Sequence, residues 1–484
     1  MRLRFTLDRA LGALKSPEAR SVLGMTVPIA AEQAFITLMA IVIAGMAGHA
    51  GTEIASGVAL VAAMVNVVSA ILGAIALGGT VAVSRAIGAG NREDADQGAA
   101  QAIGLSVASA GLLGFGLCIA PDFWIRLLYS ASSEKIQAAA GDFLFASALG
   151  FPFIAATLSS SAVLRGTGDA RTPMAANILM NVVNVAAGFI FIFGVSFGAA
   201  ADPWILIPPM GALGAGIAIT LARGVGTLYF IAAFARGKGS FRFPRPSWFL
   251  RPSRFFRGPF AGDRFIADRT VFATIMKVSV PAAVESLAFN GGKLLTQTYI
   301  AGLSAVDMAA DYITFSTAMF TQVPLSSISM AVPPLVGIAL GRREPLRARK
   351  IIMVSVLMGC LFMAFVSILT FPFVELVLSF SSSDPAVVRR GAQLFRPFLL
   401  LCPLFWATSF IVPSGLRGAG DGRYTMTVAV VSMWTVRVGL GWALAYPMGL
   451  GIQGVWFAMM TDWVVRSTAY VARLRGDRWM RSLD

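Results

Sequence analysis

Windows of about 20 consecutive apolar residues, the length a helix needs to cross a hydrocarbon core of roughly 30 Å, recur twelve times along this chain. They fall at 22–45, 54–82, 99–120, 141–163, 174–197, 211–234, 274–300, 312–339, 351–374, 394–415, 425–446 and 452–472. Lipid offers no hydrogen-bond partner to exposed backbone, so each window is expected to be helical. Composition agrees: only 13% of the 484 residues are charged, about half the fraction in ordinary soluble domains. The expected fold class is an all-α polytopic membrane protein with twelve transmembrane helices.

The formal charge of +15 raises the question of a nucleic-acid partner, and the placement of the charge answers it. If the N-terminus is cytoplasmic, the loops on that side hold 29 Lys and Arg residues, against Arg126, Lys135, Arg389 and Arg390 on the other. Cytoplasmic loops of membrane proteins carry such an excess, so both termini are expected inside and no nucleic acid is implied. The first 20 residues lack a signal-peptide cleavage pattern and read as a basic amphipathic lead-in. Residues 235–272 interleave Arg, Pro and Phe without helical periodicity. They are expected to form a cytoplasmic linker lying against anionic lipid, separating lobes at 1–234 and 273–484.

Several function classes fall away. Cys118, Cys360 and Cys402 are widely spaced inside apolar runs and give no metal-ligand or disulfide pattern. The single histidine, His49, sits in a Gly-rich loop, which argues against embedded enzymes built on several His ligands or a His base. GLGIQG at 449–454 fits a dinucleotide fingerprint only as a string, because it follows a membrane helix rather than a strand. No phosphate-binding loop with its lysine is present, so no ATP-driven step is expected of this chain alone. No enzyme, metal or cofactor is expected.

The chain is an internal duplication. LRGTGDARTPM at 164–174 recurs as LRGAGDGRYTM at 416–426, a shift of 252. VPIAAE at 27–32 matches VPAAVE at 280–285, and GNRE at 90–93 matches GRRE at 341–344. An even number of crossings separates the copies, so they share one orientation as two pseudo-symmetric six-helix lobes. Parallel repeats of this kind in transporters place the substrate cavity between the halves.

Each copy of the repeated loop has its own physics. Gly166 and Gly168, and Gly418 and Gly420, are expected to permit positive φ in a tight reversal. Asp169 and Asp421 can cap the following helix. Arg165 and Arg417 can bind the last carbonyls of the preceding helix or lipid phosphate. These eight residues are candidates for a gating loop; the alternative is a plain structural turn.

The same segments carry a resemblance. LRGTGDARTPM and LRGAGDGRYTM, VPIAAEQ and VPAAVE, IGAGNRE and IALGRRE resemble the multidrug and toxic compound extrusion (MATE) transporters. SMWTVRVGLGWALAY at 432–446 and GIQGVWFAMMTDWVVRS at 451–467 resemble that family's last two helices, so nearly the whole chain is covered. The resemblance implies a twelve-helix antiporter in a bacterial inner membrane. It would use H⁺ or Na⁺ as coupling ion to export small amphipathic, often cationic, organic compounds by alternating access, and it is expected to act as a monomer.

Ionisable residues within the windows are functional hypotheses by default. Glu32 and Glu285 each follow a duplicated proline by four residues. Either can carry a proton or cation, cap backbone freed by its proline, or pair with an arginine. Asp462 is a third coupling candidate; it lies four residues before Arg466 and can pair with it, with Arg437 able to join. Lys293 and Arg437 are candidates for the substrate cavity. Asn177, Asn181 and Asn184 form a polar stripe on one helix face that can bind substrate or join helices.

Two departures from the family stand out. Ala40 occupies a first-helix position where the family usually carries aspartate, and Gly188 replaces the acid expected four residues after Asn184. Coupling has then moved to the second lobe, around Glu285 or Asp462, or the ion or substrate differs. A lipid-linked-sugar flippase and a non-transporting membrane scaffold or sensor are the alternative readings.

Overall fold

The computed structural model describes residues 12–130, 132–197, 204–240 and 269–481. The central part of the expected basic linker, 241–268, lies outside the described residues.

Fourteen helices or helix runs carry the described chain. They are α1 (Pro17–Ala50), α2 (Thr52–Gly88), α3 (Arg92–Ile119), the short α4 (Pro121–Tyr129), α5 (Glu134–Leu149), α6 (Phe151–Gly166), α7 (Arg171–Phe193) and α8 (Gly211–Ala235). The second half supplies α9 (Arg269–Ala301), α10 (Ala305–Gly341), α11 (Pro345–Ser379), α12 (Pro385–Gly418), α13 (Gly422–Ala445) and α14 (Gly451–Arg475). Among the described residues ten of these are long and apolar enough to span a membrane, and α5 with α6 makes an eleventh, bent by 51°. The twelfth crossing is α14, whose 25 residues reach roughly 37 Å at 1.5 Å each and carry Asp462 and Arg466 midway. The chain is a multi-pass membrane protein.

Two details depart from the sequence expectation. The window at 141–163 is broken where Pro152, at the start of α6, cannot donate the hydrogen bond that would continue α5. Thr220 Oγ1 donates to the Ala146 carbonyl beside the break, at 2.7 Å. The window at 174–197 is helical only to Phe193: Gly194, at φ +77°, turns the chain into strand β1 (Val195–Phe197), paired antiparallel with β2 (Trp204–Ile207). β-branched and aromatic residues suit a strand as well as a membrane helix, and hydropathy alone does not separate the two.

Contacts divide the described chain into two compact units. The first-half unit takes residues 31–83 and 91–276; its core gathers Val61, Ile125, Phe143, Leu144 and Ile192, with a second cluster around Leu72, Phe151 and Ile154. The second-half unit takes residues up to Ala30, Ser84–Gly90 and everything from Lys277. Its core stacks Phe398 against Phe395, Trp456 and Trp463, with ring centroids 5.5 to 6.1 Å apart. Large apolar side chains also cover outer faces, Ile368 being 76% exposed and Phe365 65%. Apolar surface on that scale marks a face made for lipid. Some hydroxyls within the helices bond back to the preceding turn, as Thr317 does to Ile313 and Thr461 to Phe457, which satisfies those donors.

Candidate functional site

The repeated loops close in the same way at the backbone level. Asp169 N donates to Leu164 O at 3.0 Å and Asp421 N to Leu416 O at 2.9 Å, the six-to-one bond that ends a helix with a left-handed residue. That residue is Gly168, at φ +93°, in one copy and Gly420, at φ +89°, in the other. The expectation of positive φ is corrected for Gly166 and Gly418, which remain helical. Gly418 serves a close approach instead: a Cβ there would stand 2.7 Å from Pro333 Cα.

Above these turns, the residues singled out from sequence assemble into two related ion pairs. In the first-half unit, Arg165 Nη1 reaches both oxygens of Glu32, at 3.4 and 3.3 Å, and Asn177 Nδ2 donates to Glu32 Oε1 at 2.7 Å. Glu32 is 3% exposed. In the second-half unit, Arg417 Nη1 donates to Glu285 Oε1 at 2.9 Å while its Nη2 donates to Ser414. Glu285 Oε2 is buried and accepts no hydrogen bond from the described residues. The arginines therefore serve carboxylates on the first helix of their own half, which corrects the expectation that they bind helix-end carbonyls or lipid phosphate. A carboxylate offers a guanidinium a shorter and stronger bond than a carbonyl does.

The two aspartates of the repeat diverge. Asp169 caps α7 as expected, accepting from Arg171 N and Thr172 N at 3.0 Å each. Asp421 makes no capping bond; Arg473 of α14 takes both its oxygens, at 2.8 and 3.2 Å. Among the described residues no arginine pairs with Asp169, whereas Arg473 draws Asp421 away from the helix end.

Farther into the second-half unit, Asp462 is fully buried and its carboxylate is occupied by the Arg466 guanidinium and the Ser432 hydroxyl. Arg437 makes no hydrogen bond to Asp462; its guanidinium carbon lies 5.7 Å from the centroid of Phe289. Lys293 Nζ stands 4.5 Å over the Phe315 ring. In the first-half unit, Asn181 Nδ2 bonds the Asn177 carbonyl at 2.8 Å, so this amide braces its own helix. Asn184 is partly buried, and no side-chain hydrogen bond of its own is found among the described residues.

Sequence reasoning missed Asp311. It is buried and accepts the Trp456 indole N–H at 2.9 Å. The apolar window begins at 312, whereas α10 starts at Ala305, where Ser304 accepts from Asp307 N and donates to the Asp307 carboxylate. The Ser-x-x-Asp capping pattern was the available signal. Among the described residues no group of three or more His, Cys, Asp or Glu side chains is placed to hold a metal ion.

The model of the MatE family matches residues 28–190 and 281–443, the two halves of the duplication. The chain belongs to the MatE family. It is 27% identical over 469 residues to a probable multidrug resistance protein NorM of Thermotoga maritima, covering 96% of this chain and 94% of that one. It is 24% identical over 479 residues to the transporter YisQ of Bacillus subtilis, covering 97% of each. Among solved structures, a MOP-superfamily transporter from Pyrococcus furiosus superposes with a TM-score of 0.80 at 18% identity over 96% of both chains. An outward-facing MATE multidrug resistance transporter gives 0.78 at 17%. The fold is therefore the MatE fold of twelve helices in two lobes, in a family of transporters.

Proposed function

We propose that this MatE-family chain is a secondary active multidrug efflux transporter of a bacterial inner membrane, with both termini cytoplasmic. It exchanges H⁺ or Na⁺ for small amphipathic organic compounds by alternating access. The names of its relatives support the multidrug part of this reading. The observation that carries the coupling part is the bare Oε2 of Glu285, buried beside Arg417.

A buried acceptor without a partner costs about 1–3 kcal/mol, and more when it carries charge. A proton or a small cation arriving at Oε2 relieves that cost without displacing Arg417 from Oε1. Glu32 offers no such vacancy, because Arg165 and Asn177 together cover both its oxygens. With Ala40 and Gly188 in place of acids, the second half is the better seat for the coupling ion.

The test is transport by the full chain reconstituted in vesicles, with a panel of fluorescent amphiphiles of either charge. An imposed H⁺ or Na⁺ gradient is expected to drive dye movement that stops when the gradient is collapsed by an ionophore. Dye movement indifferent to both gradients overturns the reading.

A further inference from the structure

Among the described residues of the second-half unit, the acids buried within the membrane helices are partnered, while two cations inside those helices are not. Asp462 is held by Arg466 and Ser432, Glu285 by Arg417, and Asp311 by Trp456. Lys293 of α9 and Arg437 of α13 make no side-chain hydrogen bond and no ion pair among the described residues; each only faces an aromatic ring. Arg437 is 8% exposed, so little of its side chain is accessible, and its guanidinium carries five N–H donors. A ring face returns part of what a buried guanidinium loses, but it accepts no directed hydrogen bond.

The two cations belong to one place. Phe289, the ring under Arg437, lies four residues before Lys293 and therefore on the same face of α9. Lys293 and Arg437 are within electrostatic range of each other and of Asp311, and the guanidinium carbon of Arg466 lies 5.5 Å from the centroid of the same Phe289 ring. The helices touch here, since a Cβ on Gly292 would lie 2.6 Å from Met433 Cε. Arg437 also sits in a π-helical stretch, Met433–Leu440; such stretches are rare and occur often at functional sites. The unexplained feature is a pair of like charges, held together and lacking acceptors, above an aromatic floor.

We propose that Lys293 and Arg437 bind the anionic group, a carboxylate or phosphate, of an amphipathic substrate whose apolar body rests on Phe289 and Phe315. The guanidinium fork matches two oxygens of such a group, and the half-buried ammonium adds a point charge. One negative group relieves the repulsion between the two cations and fills their donors. The opposing charges are Asp462, already held by Arg466 and Ser432, and Asp311, committed to Trp456, so a purely cationic amphiphile is disfavoured at this point. The substrate class therefore includes organic anions and zwitterions. This proposal rests on the transport reading for its meaning, although binding itself can be read without turnover.

The experiment uses the full chain in phosphatidylcholine nanodiscs and three matched probes: pyrenebutyrate, pyrenebutanol and pyrenebutylamine. Energy transfer from tryptophan to pyrene reports binding, with protein-free discs as blank. The carboxylate is expected to bind about tenfold or more tightly than the alcohol, as a charge-assisted bond implies, and the amine no better than the alcohol. Arg437→Gln and Lys293→Gln should each remove most of the carboxylate's advantage and leave the alcohol unchanged, while Lys135→Gln, on an exposed first turn of α5, alters nothing. A carboxylate no tighter than the alcohol overturns the proposal, as does an advantage that survives in the double variant. If either variant loses its thermal transition, the three-probe comparison on the unaltered chain decides alone. Discs containing phosphatidylglycerol separate the sources of the anion: competition with pyrenebutyrate assigns the site to a lipid headgroup, and no competition assigns it to a soluble compound. Gradient-driven exchange that fails while the anion preference holds removes the transport reading and leaves the site.

Discussion

Arg417 reaches one oxygen of Glu285 and leaves the other bare, whereas the equivalent Arg165 reaches both oxygens of Glu32. The duplicated halves thus keep the same ion pair and differ in how completely it is satisfied. A carboxylate with a vacant oxygen can change its occupant at low cost; one held from both sides serves mainly to hold helices.

Glu285→Gln is therefore expected to insert and fold, and to lower gradient-driven exchange about tenfold or more, the range over which a lost proton-transfer or charge contact acts. Glu32→Gln is expected to act chiefly on stability. Removing one partner of a buried pair costs about 3–5 kcal/mol because the other charge remains buried. The check is exchange in vesicles beside thermal unfolding of each purified variant. Unimpaired exchange by Glu285→Gln removes it as the coupling group.

A second difference between the two pairs is one side chain. Asn177 supplies the amide on Glu32 Oε1, and the shift of 252 that relates the repeated loops puts Ala429 at the corresponding place. Asn177→Ala is expected to cost about 1–3 kcal/mol by stripping a hydrogen bond from a buried charge. Combined with Glu32→Gln it should cost less than the sum of the two, since both changes act on one interaction. A double-mutant cycle read by thermal unfolding measures the coupling. Strict additivity would show that the amide contributes nothing to this ion pair.

Much of this was legible beforehand, for reasons that explain the exceptions. Hydropathy over 20 residues locates membrane helices because lipid enforces both their length and their internal hydrogen bonding. The repeat was legible because motifs such as LRGTGDARTPM and LRGAGDGRYTM recur in order at nearly one offset. What sequence left open was partnership. Asp169 and Asp421 occupy the same motif position, yet among the described residues only the second meets an arginine, and Arg473 lies 52 residues farther along the chain. The capping pattern at Ser304 would have extended α10 to include Asp311, and the offset of the repeat would have exposed the loss of an amide at Ala429. The hairpin after Gly194 was hidden by β-branched and aromatic residues that read equally well as membrane helix.

Asp421 and Asp169 should respond differently to the same change. Asp169→Ala removes a cap, worth about 1 kcal/mol, and Arg171 and Thr172 lose their acceptor at the start of α7. Asp421→Ala breaks a two-oxygen clamp on Arg473 and so loosens α14 from the turn before α13. The charge-swapped double variant Asp421→Arg with Arg473→Asp is expected to recover part of the lost thermal stability. A swap no better than Asp421→Ala alone would show that the clamp does not depend on the pairing.

Asp462 and Arg466 test how far a buried pair in α14 is structural. Arg466 takes both oxygens of Asp462, Ser432 adds a hydroxyl from the neighbouring α13, and Asp462 retains no exposed surface. With its acceptor capacity engaged in this way, the carboxylate has little room for a transported ion. Asp462→Asn leaves the Arg466 charge buried beside a neutral amide and is expected to destabilise by about 3–5 kcal/mol. Replacing both residues by apolar ones of similar size, Asp462→Leu with Arg466→Met, removes two desolvated charges together and should recover most of that loss. Recovery of gradient-driven exchange along with stability would identify the pair as a lock between α13 and α14. Restored stability with exchange still absent would instead return Asp462 to the list of coupling groups, beside Glu285.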